Sequence, residues 1–316
     1  MNSHLRVIID KYIPYIYDVL TPYANVITLE PDEITPETVH NADALIVRTR
    51  TKVDASLLDN SSVQFVATAT IGIDHIDTAY CEKHHINWVS CPGCNAQAVC
   101  DYIEECLREI ALPQNATIGI VGVGHVGSLV AQMAQQKGYN IILNDPPKNI
   151  GKSLGEIEEK CNLITFHTPL TKDGQYPTYH LCDNNFLQRC KPDAIIINAA
   201  RGGIVDENAL LASQHPFILD TWENEPHINP TVLSKAELAS FHIAGYSVQG
   251  KLNAAQMCLD AFSKHFGTPI LSIDKKVVSL HAEYGDSDPG WLKRVSDQLK
   301  TDSTQFEQLR KQYKLR

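Results

Sequence analysis

The 316-residue sequence lacks an apolar run long enough to span a membrane, and it lacks an excess of basic residues. A membrane helix needs about 20 consecutive apolar residues, so we expect no insertion into a membrane. The 27 Lys and Arg residues are outnumbered by 37 Asp and Glu residues, and the net charge of −10 argues against a nucleic-acid-binding surface. Without a recognisable secretory signal, the nine cysteines are expected to be reduced thiols in a cytoplasmic protein.

Internal repeats and low-complexity segments are also missing from the sequence. Its composition, 43% hydrophobic and 20% charged, is typical of a soluble globular protein. A chain of this length is long enough to build two domains with substantial cores.

The stretch from Thr117 to Asp145 has the pattern of a dinucleotide site. A short apolar strand is followed by glycines in the order G-x-G-x-x-G, and then by a helical pattern that stops at Gly138. The first glycine permits a tight turn, the second lets the backbone approach a pyrophosphate, and the third lets helix and strand pack closely. The predicted cofactor contacts in this loop are Gly122, Gly124, His125, Val126 and Gly127.

An acidic residue closes the second strand of this stretch. Asp145 lies 18 positions after Gly127, where a carboxylate is placed to accept hydrogen bonds from an adenosine ribose. Such a carboxylate repels a 2′-phosphate, so NAD is favoured over NADP. An ordinary βαβ turn with chance glycines is the alternative, but the strand, helix and acid at these spacings favour a dinucleotide site.

Short strands alternate with helices along the chain, which favours an α/β fold with parallel sheets. In the first part of the chain, strands are predicted at Arg6–Ile9, Val26–Leu29, Ala44–Val47, Phe65–Ala67 and Asn87–Ser90. After the dinucleotide stretch, they are predicted at Leu163–His167, Ala194–Asn198, Ile218–Leu219 and Ser240–His242. Two longer helices are predicted, one that ends near Ala111 and one over Val248–Phe266.

Polar residues follow three of the later strands, and open α/β sheets place their sites at the carboxyl ends of strands. These residues include Arg201, Glu225 and His242. Because imidazole titrates nearest neutral pH, His242 is the candidate base for a hydroxyl proton. Glu225 would hold its ring, and Arg201 offers a fork of N–H donors for a substrate carboxylate. The alternative is a packed histidine and an acidic turn that carry no chemistry.

Six motifs together resemble the D-isomer-specific 2-hydroxyacid dehydrogenases. They are G-V-G-x-V-G, D-P-P, F-H-T-P-L, I-N-A-x-R-G, W-E-x-E-P and H-I-A-G-Y-S. The match covers about residues 5 to 267, most of the chain. The resemblance implies NAD-dependent oxidation of a 2-hydroxy acid, with Arg201, Glu225 and His242 as the catalytic residues.

The resemblance also implies a domain organisation. A Rossmann-type doubly wound parallel sheet over residues 94–246 is expected to be inserted into a smaller flavodoxin-like α/β domain. That substrate-binding domain would consist of residues 1–93 and a returning helix over residues 247–267. Residues 268–316 would form a C-terminal dimerisation region that is shorter than usual in the family, which implies a homodimer.

Further site residues are implied by the same resemblance. The additional NAD contacts would be Asp145, Thr168, Ala199, Asp220 and Gly245. Motifs such as R-T-x-T-K-V and P-G-C-N-A resemble a branch of the family that acts on a phosphorylated 2-hydroxy acid. In that branch the substrate contacts would be Arg48, Thr49, Arg50, Thr70 and Tyr246.

A basic loop is consistent with such a substrate. Arg48, Arg50 and Lys52 follow one strand of the small domain, and Lys251 begins the returning helix. Phosphate accepts charge-assisted hydrogen bonds from such groups. A solvated basic loop without a ligand is the alternative.

The sequence raises a zinc site, which it does not favour, and it leaves two alternative functions open. Cys91 and Cys94 form a C-x-x-C, but a single such pair without a second one does not favour zinc, and no metal is predicted. Another dehydrogenase of the family, of the phosphoglycerate or hydroxypyruvate type, would share the catalytic residues. A non-catalytic NAD-sensing interaction protein would retain the fold.

Overall fold

The computed structural model of the protein describes residues 5–269, 271–274 and 289–315. These residues divide into two compact units. The first contains the residues up to Asn95 and the stretch that begins at Ser247, and the second contains Ala96–Tyr246 and the residues from 289 onwards. No helix among the described residues is long and apolar enough to cross a membrane.

The first unit is built on a five-stranded sheet in which every pairing is parallel. Its strands are β1 (Arg6–Asp10), β2 (Asn25–Leu29), β3 (Ala44–Val47), β4 (Phe65–Thr68) and β5 (Asn87–Val89). Their order is β2-β1-β3-β4-β5, which is the strand order of flavodoxin-like folds. All residues of β3 and β4 are buried, as expected for parallel strands with helices on both faces.

Short helices connect these strands, and one long helix returns to the sheet from later in the chain. The helices are α1 (Ile16–Leu20), α2 (Pro36–Val39), α3 (Ala55–Leu58), α4 (Thr78–Lys83) and α11 (Val248–Phe266). Helix α11 is capped by the Ser247 side chain and ends at Gly267, which has φ 65°. Phe262 and Phe266 of α11 pack against Phe65 of β4, with ring centroids 6.1 and 5.9 Å apart. The predicted returning helix therefore has the predicted bounds.

The second unit contains a seven-stranded sheet. Its strands are β6 (Thr117–Val121), β7 (Asn140–Asp145), β8 (Ile150–Gly151), β9 (Leu163–Phe166), β10 (Ile195–Asn198), β11 (Phe217–Leu219) and β12 (Leu238–Ala239). Their order is β12-β11-β10-β9-β6-β7-β8, so the order reverses between β6 and β9 as in a doubly wound dinucleotide-binding sheet. This confirms the predicted Rossmann-type fold. The short edge strand β8, which is antiparallel to β7, was not predicted.

Helices cover both faces of this sheet. They are α5 (Ala96–Glu109), α6 (His125–Gln136), α7 (Leu154–Lys160), α8 (Asn184–Arg189), α9 (Glu207–Ala212) and α10 (Pro230–Lys235). The last four begin at side-chain caps, in which Ser153, Asp183, Asp206 and Asn229 accept hydrogen bonds from backbone N–H groups of the first turn. Capping satisfies N–H groups that have no partner within the helix.

The described C-terminal residues belong to the second unit. They form the helices Trp291–Thr301 and Phe306–Gln312. Ser296 Oγ accepts a hydrogen bond from the backbone N–H of Ala239, 3.0 Å away, at the edge strand β12. Residues 270, 275–288 and 316 of the predicted dimerisation region lie outside the described residues, and dimerisation through this region stays a prediction.

Candidate active site

The glycine loop after β6 has a shape that side chains at two of its positions would prevent. A Cβ atom on Gly122, where φ is +91°, would lie 2.7 Å from the carbonyl oxygen of His167. A Cβ atom on Gly127 would lie 1.9 Å from the carbonyl oxygen of Gly122. A Cβ atom on Gly124 would meet nothing within 4 Å, so the loop is closely packed on one side and open at its middle glycine.

Helix α6 begins at His125, directly after that open position, and Gly124 is its N-cap. His125 is exposed, Val126 is half-buried and Gly127 is buried. The first N–H groups of an α-helix have no partner within the helix, and the positive end of its dipole attracts phosphates. The predicted pyrophosphate contacts thus lie together at one helix N-terminus.

Asp145 lies at the carboxyl end of β7 and is buried. Its Oδ2 accepts a hydrogen bond from the backbone N–H of Val123, 2.8 Å away. Lys148 Nζ lies 3.7 Å from the same oxygen and donates to the Val123 carbonyl at 2.8 Å. One carboxylate oxygen therefore holds the glycine loop, and the predicted contact between Asp145 and the ribose stays a prediction.

The crevice where the strand order reverses contains a polar atom that lacks a partner. Thr168 follows β9, and its Oγ1 is buried without a hydrogen-bond partner among the described residues. Buried hydroxyl groups are nearly always hydrogen-bonded, so an orphaned one here fits a site completed by a ligand. With the open position at Gly124, these residues fit a bound dinucleotide.

His242 and Glu225 form the pair that the sequence predicted. His242 Nδ1 lies 2.8 Å from Glu225 Oε2, and Glu225 Oε1 accepts a hydrogen bond from the backbone N–H of Trp222 at 2.9 Å. Burial by itself raises the pKa of Glu225, but the hydrogen bond and charge of His242 and the Trp222 N–H outweigh it, and the net pKa is lowered. Glu225 is thus held as a carboxylate, and it directs Nε2 of His242 away from itself.

The loop that carries His242 is positioned by Asp220. This carboxylate is 1% exposed and accepts hydrogen bonds from Ser240 Oγ and from the N–H groups of Ile243 and Ala244, at 2.6, 2.7 and 3.0 Å. The chain leaves the sheet here, with φ +59° at His242. The strand predicted at Ser240–His242 was therefore placed too late, because β12 ends at Ala239.

Both oxygens of Asp220 are engaged by this loop, and the side chain is enclosed. The carboxylate therefore shapes the loop, and the predicted contact between Asp220 and NAD stays a prediction. Ala199 and Gly245, the other NAD contacts predicted after strands, follow β10 and β12, where Ala199 is buried and Gly245 half-buried.

Arg201 follows β10 in a turn built by Asn198. Asn198 donates from Nδ2 to the Arg201 carbonyl at 2.8 Å and accepts from the Ala200 N–H at 3.1 Å. A Cβ atom on Gly202 would lie 1.8 Å from the Trp222 carbonyl oxygen, so this turn packs directly against the loop of Glu225. Arg201 forms no ion pair with any carboxylate of the described chain. Its Nη1 donates to the Ala200 carbonyl at 2.8 Å, and its other N–H donors are left for an anion.

Tyr246, predicted to contact substrate, accepts a hydrogen bond from Arg310, a residue that was not among the predicted site residues. Arg310 Nε donates to Tyr246 Oη at 2.9 Å, and the guanidinium carbon lies 5.6 Å from the centre of the Tyr246 ring. Arg310 follows Tyr246 by 64 positions. No local pattern in the sequence indicates this contact.

In the first unit, two cations lie near each other. Arg48 forms a two-pronged ion pair with the buried Asp10, with N–O distances of 2.9 and 3.2 Å. Lys251, at the start of α11, is half-buried and forms no ion pair within the described chain. Burial and, next, the charge of Arg48 lower the pKa of Lys251. A cation with this environment is stabilised by a bound anion.

The predicted basic loop is not a single cluster. Arg50 and Lys52 line an open cavity of about 420 Å³ together with Asp32, and Lys52 pairs with Asp54 at 2.6 Å. Arg48, in contrast, pairs with Asp10. Arg48 and Lys52 are thus paired with carboxylates, and a phosphate contact of this loop stays a prediction.

The other predicted residues of this unit are two threonines and a cysteine pair. Thr49 is exposed, and Thr70 Oγ1 lies 2.7 Å from Thr68 Oγ1 while donating to the Gly72 carbonyl. Cys91 and Cys94 are buried, and Cys91 Sγ donates to the carbonyl of Ala254 at 3.3 Å. The C-x-x-C is thus part of the packing of this unit.

The fold and site define an NAD-dependent dehydrogenase, and comparison with known proteins agrees. Residues 101–244 match the family described as D-isomer specific 2-hydroxyacid dehydrogenase, NAD binding domain. The structure of NAD-bound 3-phosphoglycerate dehydrogenase from Entamoeba histolytica has a TM-score of 0.71 and 23% identity, covering 86% of this chain and 99% of that one. At that identity the likeness concerns the fold alone.

Relatives found by sequence similarity identify a narrower group of enzymes than the structural neighbour does. Erythronate-4-phosphate dehydrogenase of Bacteroides fragilis is 44% identical over 340 aligned positions, which cover 99% of this chain and 97% of the relative. The enzyme of the same name from Coxiella burnetii is 36% identical, covering 99% and 93%. The chain therefore belongs to the D-isomer specific 2-hydroxyacid dehydrogenases and, within them, to the erythronate-4-phosphate dehydrogenases.

Proposed function

We propose that the protein oxidises 4-phospho-D-erythronate at its C2 hydroxyl, using NAD, to 2-oxo-3-hydroxy-4-phosphobutanoate in pyridoxal 5′-phosphate biosynthesis. The observation that carries this proposal is the near full-length similarity to erythronate-4-phosphate dehydrogenases. It is supported by the hydrogen-bonded pair of His242 and Glu225 in the second unit. A phosphoglycerate or hydroxypyruvate substrate is not favoured by these relatives.

His242 acts as the base in this proposal. Because Nδ1–H of His242 donates a hydrogen bond to Glu225, Nε2 of His242 is the acceptor for the proton of the C2 hydroxyl. Arg201 binds the substrate carboxylate and stabilises charge on the C2 oxygen as the carbonyl forms. NAD, when bound, accepts the hydride from C2. The imidazolium that results is stabilised by the carboxylate of Glu225.

Arg48 and Lys251 are proposed to bind the phosphate. Of these two cations, only Arg48 has a carboxylate partner among the described residues, and burial and the charge of Arg48 lower the pKa of Lys251. A phosphate compensates both charges through charge-assisted hydrogen bonds. Thr49 and Thr70 are assigned to the substrate by the resemblance alone, as is Arg50.

The experiment that tests the function is a substrate panel monitored by NADH absorbance. Purified protein should reduce NAD with 4-phospho-D-erythronate, and His242→Ala and Arg201→Ala should abolish turnover while NAD still binds. Turnover of an unphosphorylated 2-hydroxy acid with none of 4-phospho-D-erythronate would sink the proposal.

Lys251→Met tests the phosphate contact separately. We expect KM for the phosphorylated substrate to rise by about tenfold or more, since a charge-assisted hydrogen bond contributes about 1.5–3 kcal/mol. Lys264→Met is the matched control, because Lys264 is exposed in the last turn of the same helix. An equal effect of both substitutions, or an equal effect on phosphorylated and plain substrates, would argue against a phosphate contact.

We also propose that the protein is a cytoplasmic homodimer, as the resemblance implies. Light scattering should then give a mass of twice the 35.1 kDa of one chain. A mass of one chain at micromolar concentration would refute the dimer.

A further inference from the structure

We propose that Arg310 is a positioning residue for the reaction: it fixes the phenol of Tyr246 so that the hydroxyl proton of Tyr246 is donated to the substrate. This inference rests on the proposed function, because it takes Tyr246 as a substrate contact. It assigns to the C-terminal helix Phe306–Gln312 a part in the active site of its own unit.

The contact between the two side chains constrains the ring in two ways. Arg310 Nε donates to Tyr246 Oη at 2.9 Å, and the guanidinium carbon lies 5.6 Å from the ring centre. The Arg310 side chain is 28% exposed, so water competes little for its donors. The hydrogen bond and the guanidinium held close to the phenol together restrict the ring to few orientations.

The direction of this hydrogen bond determines what Tyr246 is able to do. A guanidinium has donors only, so the phenol oxygen must be the acceptor. The phenol proton is then directed elsewhere, and no described residue accepts it. Tyr246 lies four positions after His242 in the same loop, where its N–H bonds to the Ile243 carbonyl at 2.8 Å. The hydroxyl is therefore suited to donate to an oxygen of a substrate that His242 deprotonates.

Arg310 also acts on the catalytic pair electrostatically. Burial by itself lowers the pKa of Arg310, but its interactions with Tyr246, Glu225 and Glu307 outweigh this, and the net pKa is raised. Conversely, the charge of Arg310 is one of the influences that lower the pKa of Glu225. Arg310 is thus a permanent cation beside a carboxylate that must remain ionised to hold His242.

The helix that carries Arg310 is anchored on the second unit. Phe306 and Leu309 are buried in its core, and the ring of Tyr313 packs edge-on against Phe241, 5.9 Å away. Phe241 immediately precedes His242. The anchoring of this helix thereby places Arg310 against the loop of the catalytic base.

A double-mutant cycle tests the inference. Tyr246→Phe removes the hydroxyl, and Arg310→Met removes the donor but keeps an unbranched side chain. We expect each variant to raise KM for 4-phospho-D-erythronate by about tenfold, with NAD affinity unchanged. In KM the double variant should be no worse than the single ones, because Arg310 acts on substrate binding through the hydroxyl, whereas its charge near Glu225 would affect kcat. Lys311→Met, an exposed neighbour on the same helix, should behave as wild type.

A merely structural role predicts a different pattern. Arg310→Met would then lower the melting temperature without a change in KM. The losses in melting temperature from Arg310→Met and Tyr246→Phe would also add in the double variant. Either result would overturn the inference, as would failure of Arg310→Lys to recover more activity than Arg310→Met. Absence of wild-type turnover of 4-phospho-D-erythronate would sink the proposed function alone, and the cycle would be measured with the 2-hydroxy acid that is oxidised.

Discussion

Glu225 shows how one side chain sets the chemistry of another. Its two oxygens have separate partners, His242 Nδ1 at 2.8 Å and the Trp222 N–H at 2.9 Å. Because the carboxylate only accepts, Nδ1 must carry the proton and Nε2 is left as the base. The proposed role of His242 as the base therefore depends on the charge state of Glu225.

Glu225→Gln should lower kcat by about 10²- to 10⁴-fold, because an amide donor opposite Nδ1 favours the tautomer with the proton on Nε2. NAD affinity, measured by fluorescence titration, should not change. Glu223→Gln, in the same loop but bonded to His180 at 3.0 Å, is the control and should retain activity. Similar losses of kcat in both variants would mean that a disturbed loop causes the effect, and not the tautomer of His242.

Glu207, near the same loop, carries a cost in stability that depends on pH. It is 6% exposed, and burial first, then the nearby Glu223, Glu225 and Asp206, raise its pKa from 4.5 to about 7, against a lowering by the Glu223 N–H. The folded protein holds this proton at pH values where the unfolded chain has released it. The free energy of unfolding therefore falls as the pH rises from the pKa of Glu207 in the unfolded chain through its higher pKa in the folded protein.

Glu207→Gln should remove this loss. The amide oxygen still accepts from the Glu223 N–H, 2.7 Å away in the wild type, and no charge is buried. We expect the variant to exceed the wild type in free energy of unfolding by about 1–3 kcal/mol at about pH 8 and to equal it below about pH 4. Urea unfolding at both pH values measures this, and equal stabilities at about pH 8 would contradict it.

The element that decides cofactor binding is the turn between β6 and α6. Its glycines differ in their surroundings: Gly127 touches the Gly122 carbonyl, while Gly124 faces open space. The motif spacing is local, so the sequence predicted this element well. The same spacing does not distinguish a glycine needed for folding from one needed for the ligand.

Gly127→Ala and Gly124→Ala should therefore fail in different ways. A Cβ at position 127 would lie 1.9 Å from a backbone oxygen, and we expect a loss of about 2 kcal/mol or more in unfolding free energy. At position 124 the fold should tolerate the Cβ, whereas NAD affinity should fall because the backbone approaches the pyrophosphate there. Thermal melts and NAD titrations separate the two outcomes, and an equal loss of stability would contradict the assignment.

At the scale of the whole molecule, the nine cysteines are distributed over both units and all are buried and free. Burial raises the pKa of the Cys94 thiol to about 12 and that of Cys81 to about 11. The thiolate is the form that attacks a thiol reagent, and the reagent reaches a buried cysteine only when the structure opens. The cysteines therefore report on the integrity of the fold.

Native protein should react with a thiol reagent such as dithionitrobenzoate far more slowly than unfolded protein, by about 100-fold or more. In guanidinium chloride, all nine thiols should titrate. A fast-reacting thiol in the native state would show that one of these sites opens locally, and mass spectrometry would identify it.

The amino-acid sequence by itself determined the features that depend on short spacings between residues along the chain. The alternation of strands and helices, the turn from Gly122 to Gly127 and the bounds of α11 all follow from patterns within about 20 residues. The proposed catalytic set of Arg201, Glu225 and His242 came from residues that follow apolar strands, since the ends of parallel strands meet at one edge, and from the resemblance to the family.

Only the tertiary structure decided which side chains neutralise or orient one another. Asp10 pairs with Arg48 across 38 positions, and Arg310 reaches Tyr246 across 64. Asp220 is enclosed under the His242 loop, and no local pattern in the sequence indicates that burial. Contacts between distant residues depend on burial and on the packing of whole elements, and these do not follow from local spacing.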